Sequence, residues 1–313
     1  MQFQRKTFFI GIVFISILTL LVPPARASRS GIERPSNTFT VGITFKSAGI
    51  ERVCSGALIA PTVVVTAGHC VYDSKGNIGT DYYFTAPGIA LDAAINPKVK
   101  PVKFLKAFSK SGFDVNAPGL PYDIAFIQLD SPLAKSGFIR VATATEVSKL
   151  ADNEIAKGYG YGAVPELGMG YSIYPREYHI HWNAPKIFPA STIHLNSDSA
   201  SACTGDSGGP ITTVLPTGEE ILLAVMSGAA RVVEECGTQG IDGEYNMQAT
   251  VVDTYLPLIK QVLSAPAPSP TPTTVKRYKI TCVKGTTKKY VTGTSPKCPA
   301  GYKQISKTLV KSL

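Results

Sequence analysis

The sequence is short of charge: Asp, Glu, Lys and Arg make up 17% of its 313 residues, against ~25% in an average soluble chain. Together with 28 Gly and 23 Pro, that low charge excludes a coiled coil and an acidic disordered protein. Histidine is scarce as well, with four copies, so any imidazole chemistry rests on very few positions. Long apolar runs are lacking. The most extended, residues 8–22, has fifteen residues, short of the ~20 needed to cross hydrocarbon. Acidic residues are absent from 1–27 and from 276–313, which hold three and ten Lys or Arg. With those ends set aside, residues 28–275 are left at −4 of the formal +9. The basic character belongs to the termini, and the body of the chain is not patterned for nucleic acid.

Glycine and proline are abundant, at 28 and 23 residues, which favours strands and turns over long solvated helices. Arg5 and Lys6, the apolar run after them, and the small-x-small triplet Ala25-Arg26-Ala27 form an export signal cleaved after Ala27. The mature chain is then expected outside the cell, with no transmembrane segment. Six cysteines in an exported chain read as three disulfides, with 15 pairings open to sequence.

From Thr38 to Leu263, short β-branched and aromatic runs alternate with turn residues. Examples are 40–45, 62–66, 123–129 and 220–226, which predict an antiparallel sandwich or barrel. One helical period spans 251–263, and Pro257 places the start of the helix proper near Leu256. The expected division is a signal at 1–27, a main domain at 28–264, a Pro/Thr-rich linker at 265–275 and a small basic module at 276–313, stapled by its own cysteines. No internal sequence repeat is visible.

Three segments carry chemistry. Val63-Val-Val-Thr-Ala-Gly-His69-Cys70 is a strand ending in histidine, Tyr122-Asp123-Ile124 places an aspartate at the head of an apolar strand, and Cys203-Thr-Gly-Asp-Ser207-Gly-Gly-Pro210 is rich in glycine. Gly-Asp-Ser-Gly-Gly-Pro should arise by chance in such a chain with a frequency on the order of 10⁻⁴ or less. A serine hydroxyl needs a base to take its proton as it attacks, and an imidazole can accept and return that proton near neutral pH. A carboxylate on the other ring nitrogen fixes the tautomer. His69, Asp123 and Ser207 supply the three groups. The amides of Gly205 and Ser207 are expected to converge on a developing oxyanion. Ala67 and Gly68 are small enough to let the chain before His69 pass a buried Asp123.

In the order His, Asp, Ser and in these motifs the chain resembles the chymotrypsin-like (trypsin-fold) serine peptidases over roughly Gly31 to Leu263. Cys54-Ser-Gly-Ala-Leu-Ile, Gly158-Tyr-Gly160, Ser227-Gly228 and Gly243-Glu-Tyr245 extend the resemblance. It implies an all-β fold of two antiparallel six-stranded barrels with the site in the cleft between them and a C-terminal helix. It also implies the pairs Cys54–Cys70 and Cys203–Cys236, which leaves Cys282 with Cys298. The specificity pocket would have Ser201 at its base and Ser227, Gly228, Ala229 and Gly243 along its walls. Lacking a carboxylate there, it should favour apolar or aromatic residues over Lys or Arg, whose buried cation would go unpaired.

Two features depart from the family. Signal cleavage leaves Ser28-Arg-Ser-Gly-Ile32 in place of an apolar N-terminus whose amine would pair with the Asp beside the nucleophile, so Asp206 needs another partner. The stretches from Asp81 to Gly119 and from Tyr159 to Tyr178 also diverge. His179 and His181 lack a cysteine or carboxylate at ligand spacing, so no metal is expected, and no cofactor. The reading is a monomeric secreted serine endopeptidase acting on proteins or peptides. Its competitors are an inactive peptidase-like surface-binding protein and a glutamyl-specific peptidase, for which His194 is the one pocket candidate. The basic tail is expected to hold an anionic cell-envelope polymer, giving cell-wall association. Beside the signal peptide it suggests a bacterial source.

Overall fold

The computed structural model describes residues 31–91, 102–110, 113, 114, 116, 121–164, 170–183, 192–197, 201–229, 232, 233, 236, 237, 245–265 and 277–310. The export signal, most of the linker and Gly243 lie outside them.

Six strands form the first sheet: β1 (Thr40–Ser47), β2 (Ile50–Ala60), β3 (Val63–Thr66), β4 (Thr80–Thr85), β5 (Phe104–Ser109) and β6 (Ala125–Leu129), in the order β4-β1-β2-β3-β6-β5. The second six are β7 (Glu154–Gly160), β8 (Arg176–Trp182), β9 (Thr192–Ser197), β10 (Pro210–Val214), β11 (Glu220–Ala229) and β12 (Tyr245–Val251). They run β8-β9-β12-β11-β10-β7, and β7 pairs back onto β8, which closes the ring. Both sets therefore follow one circular order, a repeat of topology that the sequence does not display. The first sheet is open along one seam among the described residues. There Tyr82 of β4 stacks on Phe104 of β5 with ring centroids 4.7 Å apart. Two antiparallel six-stranded bodies agree with expectation, the second a closed barrel and the first a half-barrel.

Three apolar clusters hold this arrangement. One fills the second barrel around Trp182, Ile180, Leu195 and Leu223, and one lines the first around Ile43, Leu58, Val64 and Ile127. The third lies between them and includes Val63, Val65, Phe126, Tyr159, Val225 and Tyr255, together with Ile259 and Val262 of the C-terminal helix. Side chains alternate along a strand, so Val64 faces the barrel interior while Val63 and Val65 face the partner barrel. Burial on both faces explains why the run before His69 is continuously apolar. A one-turn helix, α1 (Ala144–Val147), and the closing α2 (Leu256–Ser264), with proline in its first turn, are the α-helices among the described residues. No described helix is long and apolar enough to cross a membrane.

The tail is a separate antiparallel sheet of β13 (Arg277–Lys284), β14 (Thr287–Gly293) and β15 (Lys303–Val310), with β13 in the middle. Cys54–Cys70, Cys203–Cys236 and Cys282–Cys298 are all disulfides, the three pairs expected.

Candidate active site

His69 sits in a single 3₁₀ turn, Gly68–Cys70, at the end of β3. Asp123 lies two residues before β6 and is fully buried. Since β3 pairs with β6 from Thr66 to Ala125, the two residues emerge side by side. Asp123 holds His69 at two points. Oδ1 accepts the backbone N–H of His69 at 2.9 Å, and Oδ2 lies 2.8 Å from Nδ1. With Nδ1–H donating, Nε2 is left as the proton acceptor. Ser227 adds a third donor, its Oγ hydrogen-bonding Oδ2. A pocket-lining residue by expectation, Ser227 directs its hydroxyl to the carboxylate. It stands at a register shift between Met226 and Gly228 of β11, an irregularity with no signal in the sequence.

The side chain of His69 is 23% exposed. Burial pushes its pKa down, but the charge and hydrogen bond of Asp123 outweigh that and hold it above the ordinary 6.5.

Ser207 comes from the loop before β10 and is half-buried between buried neighbours. Its carbonyl accepts from the N–H of Ser55 at 2.8 Å and lies 3.6 Å from Sγ of Cys70, the residue after His69. Ser55, on β2, is the bridge that the sequence reading missed. Fully buried, it donates Oγ to the carbonyl of Gly205 at 2.8 Å and accepts the N–H of Tyr161 at 2.9 Å. Three backbone groups of the second half of the chain thus meet on one residue of the first.

The expected oxyanion amides are oriented by the carbonyls that share their peptide planes, those of Thr204 and Asp206. In a trans peptide the C=O and the following N–H point in opposite directions. The Thr204 carbonyl is taken by the N–H of Ala163, and that of Asp206 by the N–H of Gly209, at 2.8 and 2.9 Å. The N–H groups of Gly205 and Ser207 therefore face the other way, and neither has a hydrogen-bond partner among the described residues. Gly205 has φ +100°, and a Cβ there would lie 3.0 Å from the ring of Tyr171, so both dihedral and space call for glycine.

Asp206 has the alternative partners its setting required. Its carboxylate accepts the N–H of Gly162 and of Cys203, each at 2.8 Å. A Cβ on Gly160 or Gly162 would come within 2.0 or 2.4 Å of it, which gives those two glycines a purpose. Burial pushes this carboxyl up to about 6, against the lowering effect of the two amides and of the Arg176 charge. Residues 31–34 are fixed nearby. Residues 32–33 pair with Arg176 and Glu177, Arg34 hydrogen-bonds both carboxylate oxygens of Glu177, and Arg176 donates to the carbonyl of Gly31.

Ser201 is fully buried ahead of the Cys203–Cys236 bridge, and Gly228 and Ala229 continue β11. A cleft of about 510 Å³ is lined by residues that include Phe45, Arg52, Val53, Tyr83, Tyr171 and Ile173. Tyr171, whose ring a Cβ on Gly205 would meet, also lines this cleft. His179 is 60% exposed with Nε2 3.4 Å from Glu177, and His194 is exposed on β9 opposite Gln248. Cys54, His69 and Cys70 cluster, but both sulfurs are in a disulfide and offer no thiolate.

The pattern of the trypsin family matches residues 29–251. Submandibular glandular kallikrein-9 of Rattus norvegicus is 24% identical over 193 residues, 57% of this chain and 70% of its own length. The suppressor of tumorigenicity 14 protein homolog of Bos taurus is 25% identical over 239 residues, 71% of this chain but 26% of its own length. Glucanase inhibitor protein 2 of Phytophthora sojae is 25% identical over 244 residues, 71% of this chain and 75% of its own length. The chain therefore spans about a quarter of the bovine protein, and none of the three speaks for the bacterial source expected from the tail. With the pattern matched over more than two thirds of its residues, the chain belongs to the trypsin family of serine proteases.

Proposed function

We propose that the chain is a secreted serine endopeptidase in which Ser207 is the nucleophile, His69 its base and Asp123 the group that orients and charges the base. The observation that carries this reading is the two-point grip of Asp123 on His69 beside amides of Gly205 and Ser207 that point away from their engaged carbonyls. Nε2 of His69 takes the hydroxyl proton as Oγ of Ser207 adds to the scissile carbonyl. The two amides receive the charge on its oxygen. Returned to the leaving amine, the proton allows the C–N bond to break and an acyl-enzyme to form, and water repeats the sequence with the same base.

Cleavage after apolar or aromatic residues follows from a pocket based on Ser201 and flanked by Gly228 and Ala229, with no countercharge among them. The segment after the scissile bond would run past Tyr171 into the cleft bounded by Val53 and Phe45. Three disulfides fit an oxidising, extracellular setting.

Purified protein incubated with a mixed peptide library, with and without a serine-directed organophosphate, tests this. Expected are cuts after apolar or aromatic residues, abolished by the reagent, with the label on Ser207. Ser207→Ala and His69→Ala should each lower turnover by ~10⁴ to 10⁶. An unlabelled Ser207 and an uncut library would place the chain with non-catalytic members, a class to which the name of the Phytophthora sojae relative points.

A further inference from the structure

The tail sheet has two unlike faces. On β13, Tyr278, Ile280, Cys282 and Lys284 share one face, and Arg277, Lys279, Thr281 and Val283 the other. Ile280 and Cys282 are fully buried, and Cys298, disulfide-bonded to Cys282, brings the segment before β15 over that first face. The second face is open. Thr281 stands opposite Tyr290 on one side and Ser306 on the other, and Lys279 stands opposite Thr292 and Thr308. Tyr290 is 62% exposed.

Three features of this open face belong together. The ammonium of Lys279 lies 4.5 Å from the ring centroid of Tyr290, which fixes a cation beside an exposed aromatic plate. Lys288, on the same strand as Tyr290 and two residues before it, adds a further cation to the face, as do Arg277, two residues before Lys279, and Lys303, opposite Val283. Hydroxyls make a lane between, where Ser306 Oγ hydrogen-bonds Thr281 Oγ1 at 2.8 Å and Thr292 and Thr308 lie one register step away. No acidic residue occurs anywhere in 276–313. Strands of seven or eight residues at three abreast make a plate of about 26 by 10 Å.

We propose that this face binds a linear anionic glycan. The cations of this face suit its carboxylates or phosphates, the exposed Tyr290 ring, with the Lys279 ammonium over it, suits a sugar beside a carboxylate, and neutral hydroxyls suit sugar hydroxyls. Single-stranded nucleic acid fits less well, because continuous base stacking uses successive aromatic side chains. Here Tyr290 is the one tyrosine on the open face, while Tyr278 lies on the covered face and the ring of Tyr302 lies under Lys289. The inference is independent of the peptidase reading, since it uses no residue of the barrels.

The test uses the full chain on immobilised polygalacturonate, with amylose and oligo-dT as further probes. Wild type should bind polygalacturonate at low salt, be released as salt rises and ignore amylose. Lys279→Gln/Lys288→Gln should weaken binding about tenfold, and adding Tyr290→Ser should abolish it. Lys289→Gln/Lys307→Gln, the same charge change on the covered face, should weaken it less than about threefold. Unchanged thermal unfolding of each variant checks the fold. Equal loss in the two charge-matched variants would mean non-directional attraction and overturn the proposal, as would tighter binding of oligo-dT or no retention of the wild type.

Discussion

Two influences of opposite sign meet on His69. Burial favours the neutral ring, Asp123 favours the charged one, and Asp123 wins, so the pKa lies above 6.5. A base must be neutral to act, so peptide hydrolysis should rise with pH through that raised value. The acid limb of kcat/KM is expected to have its midpoint above 6.5. Asp123→Asn removes the charge and leaves the burial, so the limb should move below 6.5 while the rate falls about 10⁴. A limb that stays in place would contradict the assignment of Asp123. Asp206 is the second titrating residue. Its folded value of about 6 exceeds the ordinary 3.8, so its contribution to stability is complete below ~4 and is lost as pH rises through about 6. That gap is worth on the order of 3 kcal/mol. Urea unfolding at pH 5 and pH 7.5 should show part of this difference, and Asp206→Asn should flatten it.

At the level of elements, Ser55 of β2 ties the two halves of the site together. Ser55→Ala keeps the N–H that holds the Ser207 carbonyl and removes the hydroxyl, so the Gly205 carbonyl loses a donor and the Tyr161 amide an acceptor. Unsatisfied buried groups of this kind cost about 1–3 kcal/mol. Because the freed loop bears the amides proposed to receive the oxyanion, we expect kcat to fall about tenfold with KM nearly unchanged. A rise in KM alone would show that the hydroxyl serves binding rather than positioning.

Much of this framework was legible because its elements obey local rules. The runs at 40–45, 62–66 and 220–226 became β1, β3 and β11, and Pro257 marked the start of α2 as expected. Within the divergent stretch from Asp81, β4 and β5 were unreadable. Neither alternates cleanly, since both lie at the open seam where aromatic stacking replaces pairing. Asp123 and His69 announced themselves by residue type and strand position. Ser227 reaches Asp123 across 104 residues, and Gly160 and Gly162 are defined by a carboxylate 44 or more residues away. Such partners come from register and ring order, which single-strand patterns do not encode.

Across the whole molecule, the proposed catalysis requires two bodies to stay in register, since His69 and Asp123 belong to the first and Ser207 to the second. Each body keeps an apolar cluster of its own, and the third cluster, capped by α2, joins them. Ile259 is 5% exposed in that helix and packs in the joining cluster with Val63, Phe126 and Val225. Ile259→Ala should cost about 2–5 kcal/mol, the usual range for a truncated buried isoleucine, and the loss falls on the joint rather than on either barrel interior. In wild type, peptide hydrolysis and the far-ultraviolet β signal should disappear at the same urea concentration. In the variant, hydrolysis should fail at lower urea than the β signal, because the barrels part before they unfold. Coincident loss in the variant would mean that the two bodies and their joint form one cooperative unit, and that α2 stabilises the barrels themselves.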